Sequence, residues 1–272
     1  MTIPDPLIDA IGQCHLRAAD ARIVCLVPSI TELLCELGLA PRLVGRTGFC
    51  IHPREVLAAI PKVGGTKDVN LDRIRALAPT HVVVNIDENE KPTVDRLAGF
   101  VPHVVVTHPN APRDNLALAR LMGGIFGARD AAERWCAAFE TEYARLRALP
   151  PGPPRTVLYC IWQDPWMTVS QDTYIAAMLA ELGWRVPEIE PGVEPKARYP
   201  RFAWSSDLVD GLDAVLLSTE PYRFTEAHAD ALEKQIGIPV LLVDGEMMSW
   251  YGSRALAGLR YLRQLRALLE GA

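Results

Sequence analysis

Cys50 and His52 form the one Cys-x-His pair in this 272-residue chain, and they stand directly after an apolar run at 42–46. Thiolate and imidazole both ligate transition metals, and His108, after the run at 103–106, is a third candidate ligand. A second kind of chemistry is carried by aromatics. Trp162 and Trp166 follow the apolar run at 156–160, Trp250 and Tyr251 follow the run at 240–243, and Phe49 stands beside Cys50. Indole and phenyl faces bury large flat areas, which suits a planar ligand. One of Trp162 and Trp166 is expected to cap a core instead.

Polar candidates fall at the same kind of position. Glu220 and Glu246 follow apolar runs, where a buried carboxylate needs a partner. They either accept hydrogen bonds from ligand amides or pair with Arg254 or Arg223. Ser29, Thr47 and Asn89 are candidate polar contacts, Ser29 being equally suited to capping the helix that follows it. Arg46, Tyr199 and Arg254 would serve an anionic iron complex.

Seven apolar runs position these groups, at 22–27, 42–46, 81–84, 103–106, 156–160, 214–217 and 240–243. Their exits at 28–29, 47–52, 85–90, 107–108, 162–166, 218–222 and 244–251 are rich in Trp, Tyr, Glu and Ser, beyond what turns require. In a parallel α/β sheet such exits share one end, where ligands bind. From residue 113 to 149 the strand pattern stops and Trp135, Phe139, Tyr143 and Leu146 recur at helical spacing, predicting one long amphipathic helix with a core stripe. Pro150, Pro151, Pro153 and Pro154 end it. The expected fold is α/β, with two Rossmann-like lobes joined by a single long helix and a ligand cleft between them. The boundaries expected are 1–110, 111–150 for the connecting helix, and 151–272.

Composition excludes several classes. A net charge of −5 provides no basic field for nucleic acid or an anionic membrane surface. No apolar run approaches the ~20 residues of a membrane-spanning helix. The first twenty residues carry Asp5, Asp9 and Asp20 and lack the basic and apolar regions of a secretion signal. A cytoplasmic chain is expected, or a periplasmic one if a leader was removed. Cys14, Cys25, Cys35, Cys50, Cys136 and Cys160 form no regular framework and are expected as reduced thiols. The G-x-S-x-G, H-E-x-x-H, Walker and dinucleotide motifs are absent, so a binding protein is expected, not an enzyme.

The segments LIDAIGQCHLRAADARIV (7–24), CLVPSITELLCELGLAPRLVGRT (25–47) and VGGTKDVNLDRIRALAPTHVVVN (63–85) resemble the helical-backbone metal receptors. These class III substrate-binding proteins carry cobalamin, haem and ferric siderophores to ABC importers. The segments FCIHP (49–53), NIDENEKPTVDRL (85–97), DPWMTVSQDTYI (164–175), STEPYRF (218–224) and VDGEMMSWYGSR (243–254) look like the cobalamin-binding branch. The resemblance covers essentially the whole chain. It implies a monomer with no intrinsic cofactor whose ligand is cobalamin, or alternatively haem or a ferric chelate. A cytosolic tetrapyrrole-handling protein or enzyme on the same scaffold is the reading from another class. On such a ligand His108 is placed for an axial position. No Asp stands two residues before a His, so a bound cobalamin is expected to keep its own base as lower ligand. The resemblance also implies docking to an ABC permease through one acidic residue per lobe, here Glu88 or Glu90 and Glu220 or Glu226.

Overall fold

The computed structural model describes residues 6–189 and 197–271; the outer lobe bounds expected at residues 1 and 272 lie outside them. The chain divides into two compact units. The first takes residues up to Pro109, Arg113–Phe139 and Tyr251–Ser253; the second takes Asn110–Pro112, Glu140–Trp250 and the residues from Arg254 on.

The first unit opens with a small antiparallel hairpin, β1 (Leu7–Ile8) and β2 (Cys14–His15). A β–α alternation follows: β3 (Ile23–Cys25), α1 (Pro28–Glu36), β4 (Leu43–Arg46), α2 (Arg54–Leu57), α3 (Leu71–Ala76), β5 (His81–Asn85), α4 (Lys91–Ala98), β6 (His103–Thr107) and α5 (Asp114–Phe126). The four strands β3 to β6 form a parallel sheet in the order β4-β3-β5-β6. All five residues of β5 are buried, as expected of a strand covered on both faces. Val24, Leu26, Val82, Val84, Val104 and Val106 meet Ile74 and Leu97 in one core.

Helix α6 (Arg129–Arg147) contributes residues to both units. Its Trp135 and Phe139 are buried and stacked, with ring centroids 5.5 Å apart. The single helix expected over 111–150 is instead two helices. Gly127, at φ +79°, breaks it in the left-handed conformation, where its missing Cβ avoids Ala19.

The second unit contains β7 (Arg155–Trp162), β8 (Met167–Thr168), α7 (Tyr174–Ala180), β9 (Trp184–Arg185), α8 (Ser206–Asp210), β10 (Ala214–Ser218), α9 (Glu226–Ile236), β11 (Val240–Val243), α10 (Gly245–Ser249) and α11 (Ser253–Gly271). Its sheet runs β11-β10-β7-β8, with β8 antiparallel and β9 pairing in parallel beside β7. Side-chain caps fix several helix starts: Thr173 on α7, Ser205 on α8 and Asp244 on α10. Ser29 is not such a cap. Helix α1 begins one residue earlier at Pro28, whose fixed φ suits the first helical position, and Val27 precedes it.

Candidate functional site

In the first unit, the exit of β4 is a loop braced from inside. Arg46 is buried, and its Nε and Nη2 donate to the Leu57 carbonyl at 3.1 and 3.0 Å. Its Nη1 donates to the carbonyls of Thr47 and Cys50 at 3.1 and 3.0 Å. A guanidinium used this way fixes the backbone of the loop instead of facing a ligand. Thr47 and Cys50 are both fully buried, and the Cys50 sulfur lies 3.1 Å from the hydroxyls of Thr31 and Thr47. Burial pushes the Cys50 thiol up despite those hydroxyls and the nearby Arg46. Phe49, at the loop tip, is 62% exposed and presents most of its ring outward.

Asn89 is also consumed structurally. Its Oδ1 accepts the Asn85 N–H at 2.9 Å and its Nδ2 donates to the Thr66 carbonyl at 2.9 Å, tying the β5 exit to the loop between α2 and α3. At the β6 exit, His108 Nε2 lies 3.4 Å from Asp87 Oδ2. Tyr251, buried in this unit, donates its hydroxyl to Glu88, and the Gly252 N–H donates to Asn115 Oδ1 at 2.6 Å. Burial first, then the Glu88 charge, holds the Tyr251 phenol well above its ordinary value. Ser29 is buried in the first turn of α1.

In the second unit the aromatic expectation resolves into two roles. Trp162 is 40% exposed at the end of β7, edge-on to Tyr222 at 5.5 Å. Trp166 stacks on Phe224 at 5.8 Å, meets Trp204 edge-on at 5.4 Å, and packs onto the core. Spacing alone could not separate them. Tyr222, Phe202 and Trp204 extend this aromatic surface and were missed because they lie in loops without periodic signal.

The exits of β10 and β11 meet around a carboxylate. Glu220 Oε1 accepts the Ser249 hydroxyl at 3.0 Å and the Trp250 indole N–H at 2.6 Å. Burial raises its pKa, the two hydrogen bonds oppose that, and Glu246 and Asp244 add to it. A Cβ on Gly245 would stand 2.5 Å from both Glu220 Cγ and Ser218 Oγ, so only glycine allows this approach. Glu246 pairs with Arg254 at 2.7 Å, and the Arg254 guanidinium sits 5.1 Å from the Trp250 ring centroid. A cavity of about 350 Å³ here is lined by Thr219, Glu220, Leu242, Val243, Asp244 and Glu246. The residues assembled are hydrogen-bond acceptors and indole faces.

Among the described residues, no group of three His, Cys, Asp or Glu side chains is arranged to hold a metal ion, and Cys50, His52 and His108 are not brought into one. No helix there is long and apolar enough to cross a membrane.

Residues 23–189, more than half of the chain, match the family model described as periplasmic binding protein. The chain belongs to the periplasmic binding protein family. Within that family it falls among the class III substrate-binding proteins. The vitamin B12-binding protein of Pectobacterium carotovorum is 24% identical over 94% of this chain and 92% of its own. The periplasmic vitamin B12 binding protein BtuF of Vibrio cholerae superposes with a TM-score of 0.73 at 15% identity, covering 93% of this chain and 99% of that one. The periplasmic heme binding protein HutB of the same organism gives 0.70 at 19% identity, covering 92% and 99%. The two-lobe α/β fold of this family is therefore the fold of this chain.

Proposed function

We propose that this chain is the substrate-binding protein of an ABC-type uptake system, and that its ligand is a corrinoid such as cobalamin. One observation carries the choice of ligand: the strand exits of the second unit carry three carboxylates, Glu220, Asp244 and Glu246, around a cavity and beside an indole, and each keeps acceptor lone pairs beyond its internal hydrogen bonds or ion pair. A corrinoid is fringed by primary amides, which donate to such acceptors. Haem propionates and anionic ferric chelates would meet like charge there. The guanidiniums a chelate would need are already engaged, Arg46 by carbonyls and Arg254 by Glu246. Trp162 and Trp250 supply the flat faces of this unit.

Haem is the second reading, supported by His108 at the β6 exit and by the equal structural likeness to HutB. The family's description and the periplasmic relatives support a periplasmic location over a cytoplasmic one. For permease docking we favour Glu90 and Glu226. Both are exposed at helix starts, whereas Glu88 and Glu220 are half-buried and bonded to Tyr251 and to Ser249 with Trp250.

The test is direct. The protein is incubated with cobalamin, haemin or a ferric catecholate, desalted, and its absorbance spectrum recorded. Retention of the corrinoid bands at one equivalent is expected; retention of haemin alone would replace the first reading with the second.

A further inference from the structure

The first unit contains a cavity of about 770 Å³ at the end of its sheet opposite the strand exits. Its walls come from the segment before β3 (Arg17, Ala19), the end of α1 (Leu37, Leu39), the turn before β4 (Arg42) and the junction of α5 with α6 (Phe126, Arg129). In a parallel α/β unit each of these segments lies where strands begin and helices end, so this cavity is remote from the exit loops described above. Nothing in the proposed function uses it.

Its charge is lopsided. Arg17, Arg42 and Arg129 face one carboxylate, Asp130, in a chain whose overall charge is −5. Among the described residues Arg17 and Arg42 have neither an ion pair nor a hydrogen-bonded acceptor, and the Arg129 charge reaches Glu133, whose main partner is Arg120. Buried Leu37, Leu39 and Phe126 form an apolar floor beneath half-buried Arg42. Gly127 lets Ala19 pack closely on the α5–α6 junction: a Cβ there would lie 2.9 Å from the Ala19 Cβ and 3.6 Å from the Arg17 Nε.

From this we infer a second ligand site, one that takes an organic phosphate. Planar guanidiniums pair bidentately with phosphate oxygens, and two or three of them match a dianion. The volume lies within the range of small-molecule sites and exceeds what a lone phosphate fills, leaving room for an organic body over the leucines and Phe126. A soluble phosphate monoester and the headgroup of an anionic phospholipid share this chemistry.

The test uses the full chain, with glycerol phosphate and inorganic phosphate in calorimetric titrations. In parallel it is co-sedimented with phosphatidylcholine vesicles, with and without phosphatidylglycerol. Each measurement is repeated on the Arg17→Gln/Arg42→Gln double variant. The expected result is saturable binding of glycerol phosphate or retention on phosphatidylglycerol vesicles, weakened about tenfold or more in the variant at an unchanged thermal midpoint. A response to the soluble ester identifies a small organophosphate, and a response to the vesicles alone identifies a lipid headgroup. Absence of both, or equal binding by the variant, overturns the site.

Discussion

Trp162 and Trp166 stand four positions apart yet answer to different free energies. Trp162 contacts Tyr222 edge-on and leaves 40% of its surface open, so its truncation removes little from the core. Trp162→Ala is expected to weaken corrinoid binding by about tenfold or more, with the thermal midpoint unchanged. Trp166, wedged between Phe224 and Trp204, behaves as a core residue. Trp166→Ala is expected to cost about 3–5 kcal/mol of stability with affinity per folded molecule intact. Urea unfolding beside spectral titration separates the two; the reverse pattern would exchange their roles. Trp250 combines both behaviours, because its indole N–H is one of two donors holding Glu220. Trp250→Ala should therefore lose affinity and also about 1–3 kcal/mol of stability, the cost of an under-satisfied half-buried carboxylate. Glu220 itself has a raised folded pKa, so the folded state keeps its proton to higher pH than the unfolded chain does. Its contribution is present at low pH and lost as pH rises through the raised value. Glu220→Gln keeps an acceptor without the charge and is expected to melt no lower than the parent at neutral pH; a clear drop would mean that the charge itself stabilises the loop.

At the level of elements, the strands β5 and β6 begin with histidines that stack on each other, His81 and His103, with ring centroids 4.6 Å apart. Burial, then the like charges of His103 and His15, lowers the His81 pKa from 6.5 to about 4. The unfolded chain then binds the proton first, so stability is full above the ordinary value and falls as pH drops from 6.5 toward 4. At roughly 1.4 kcal/mol per unit the full shift corresponds to about 3.5 kcal/mol, an upper bound that solvent screening reduces. In His81→Asn, denaturant unfolding should show a shallower loss between neutral and acid pH; an identical slope would remove His81 as the cause.

The same strands show what a sequence reveals at this scale. Seven apolar runs foretold the seven main strands because most of their residues are buried, and the central ones read as uninterrupted β-branched stretches, as in HVVVN and HVVVT. β1, β2, β8 and β9 are two residues each, too short to leave any period. The helical pattern over 113–149 carried no mark of the break at Gly127, where a left-handed cap ends α5 and the chain packs against Ala19. For the exit residues, type and position were legible, but partners were not. Tyr251 as a donor to Glu88 depends on a chain segment distant in sequence, and Arg46 as a loop brace depends on an irregular loop that folds the nearby carbonyls of Thr47, Cys50 and Leu57 onto it without any periodic signal.

For the molecule as a whole, the cysteines join covalent state to location. All six are free thiols, and the periplasmic location proposed above would favour disulfides. Burial resolves the tension. Cys25, Cys50, Cys136 and Cys160 are buried, and desolvation holds the thiols of Cys25, Cys50 and Cys160 up, suppressing the thiolate that would react. Cys35, half-buried beside Glu32, is pushed up to about 11 for the same reason. Only Cys14 is exposed. The native protein is therefore expected to give one fast-alkylating thiol, with the other five reacting only as the fold opens. Alkylation after denaturation under non-reducing conditions should count six groups by mass. A protein recovered from the periplasm with that same count would show that packing, not a reducing compartment, preserves these thiols. Two or more missing groups would instead mean that disulfides form between cysteines that stand apart in this fold.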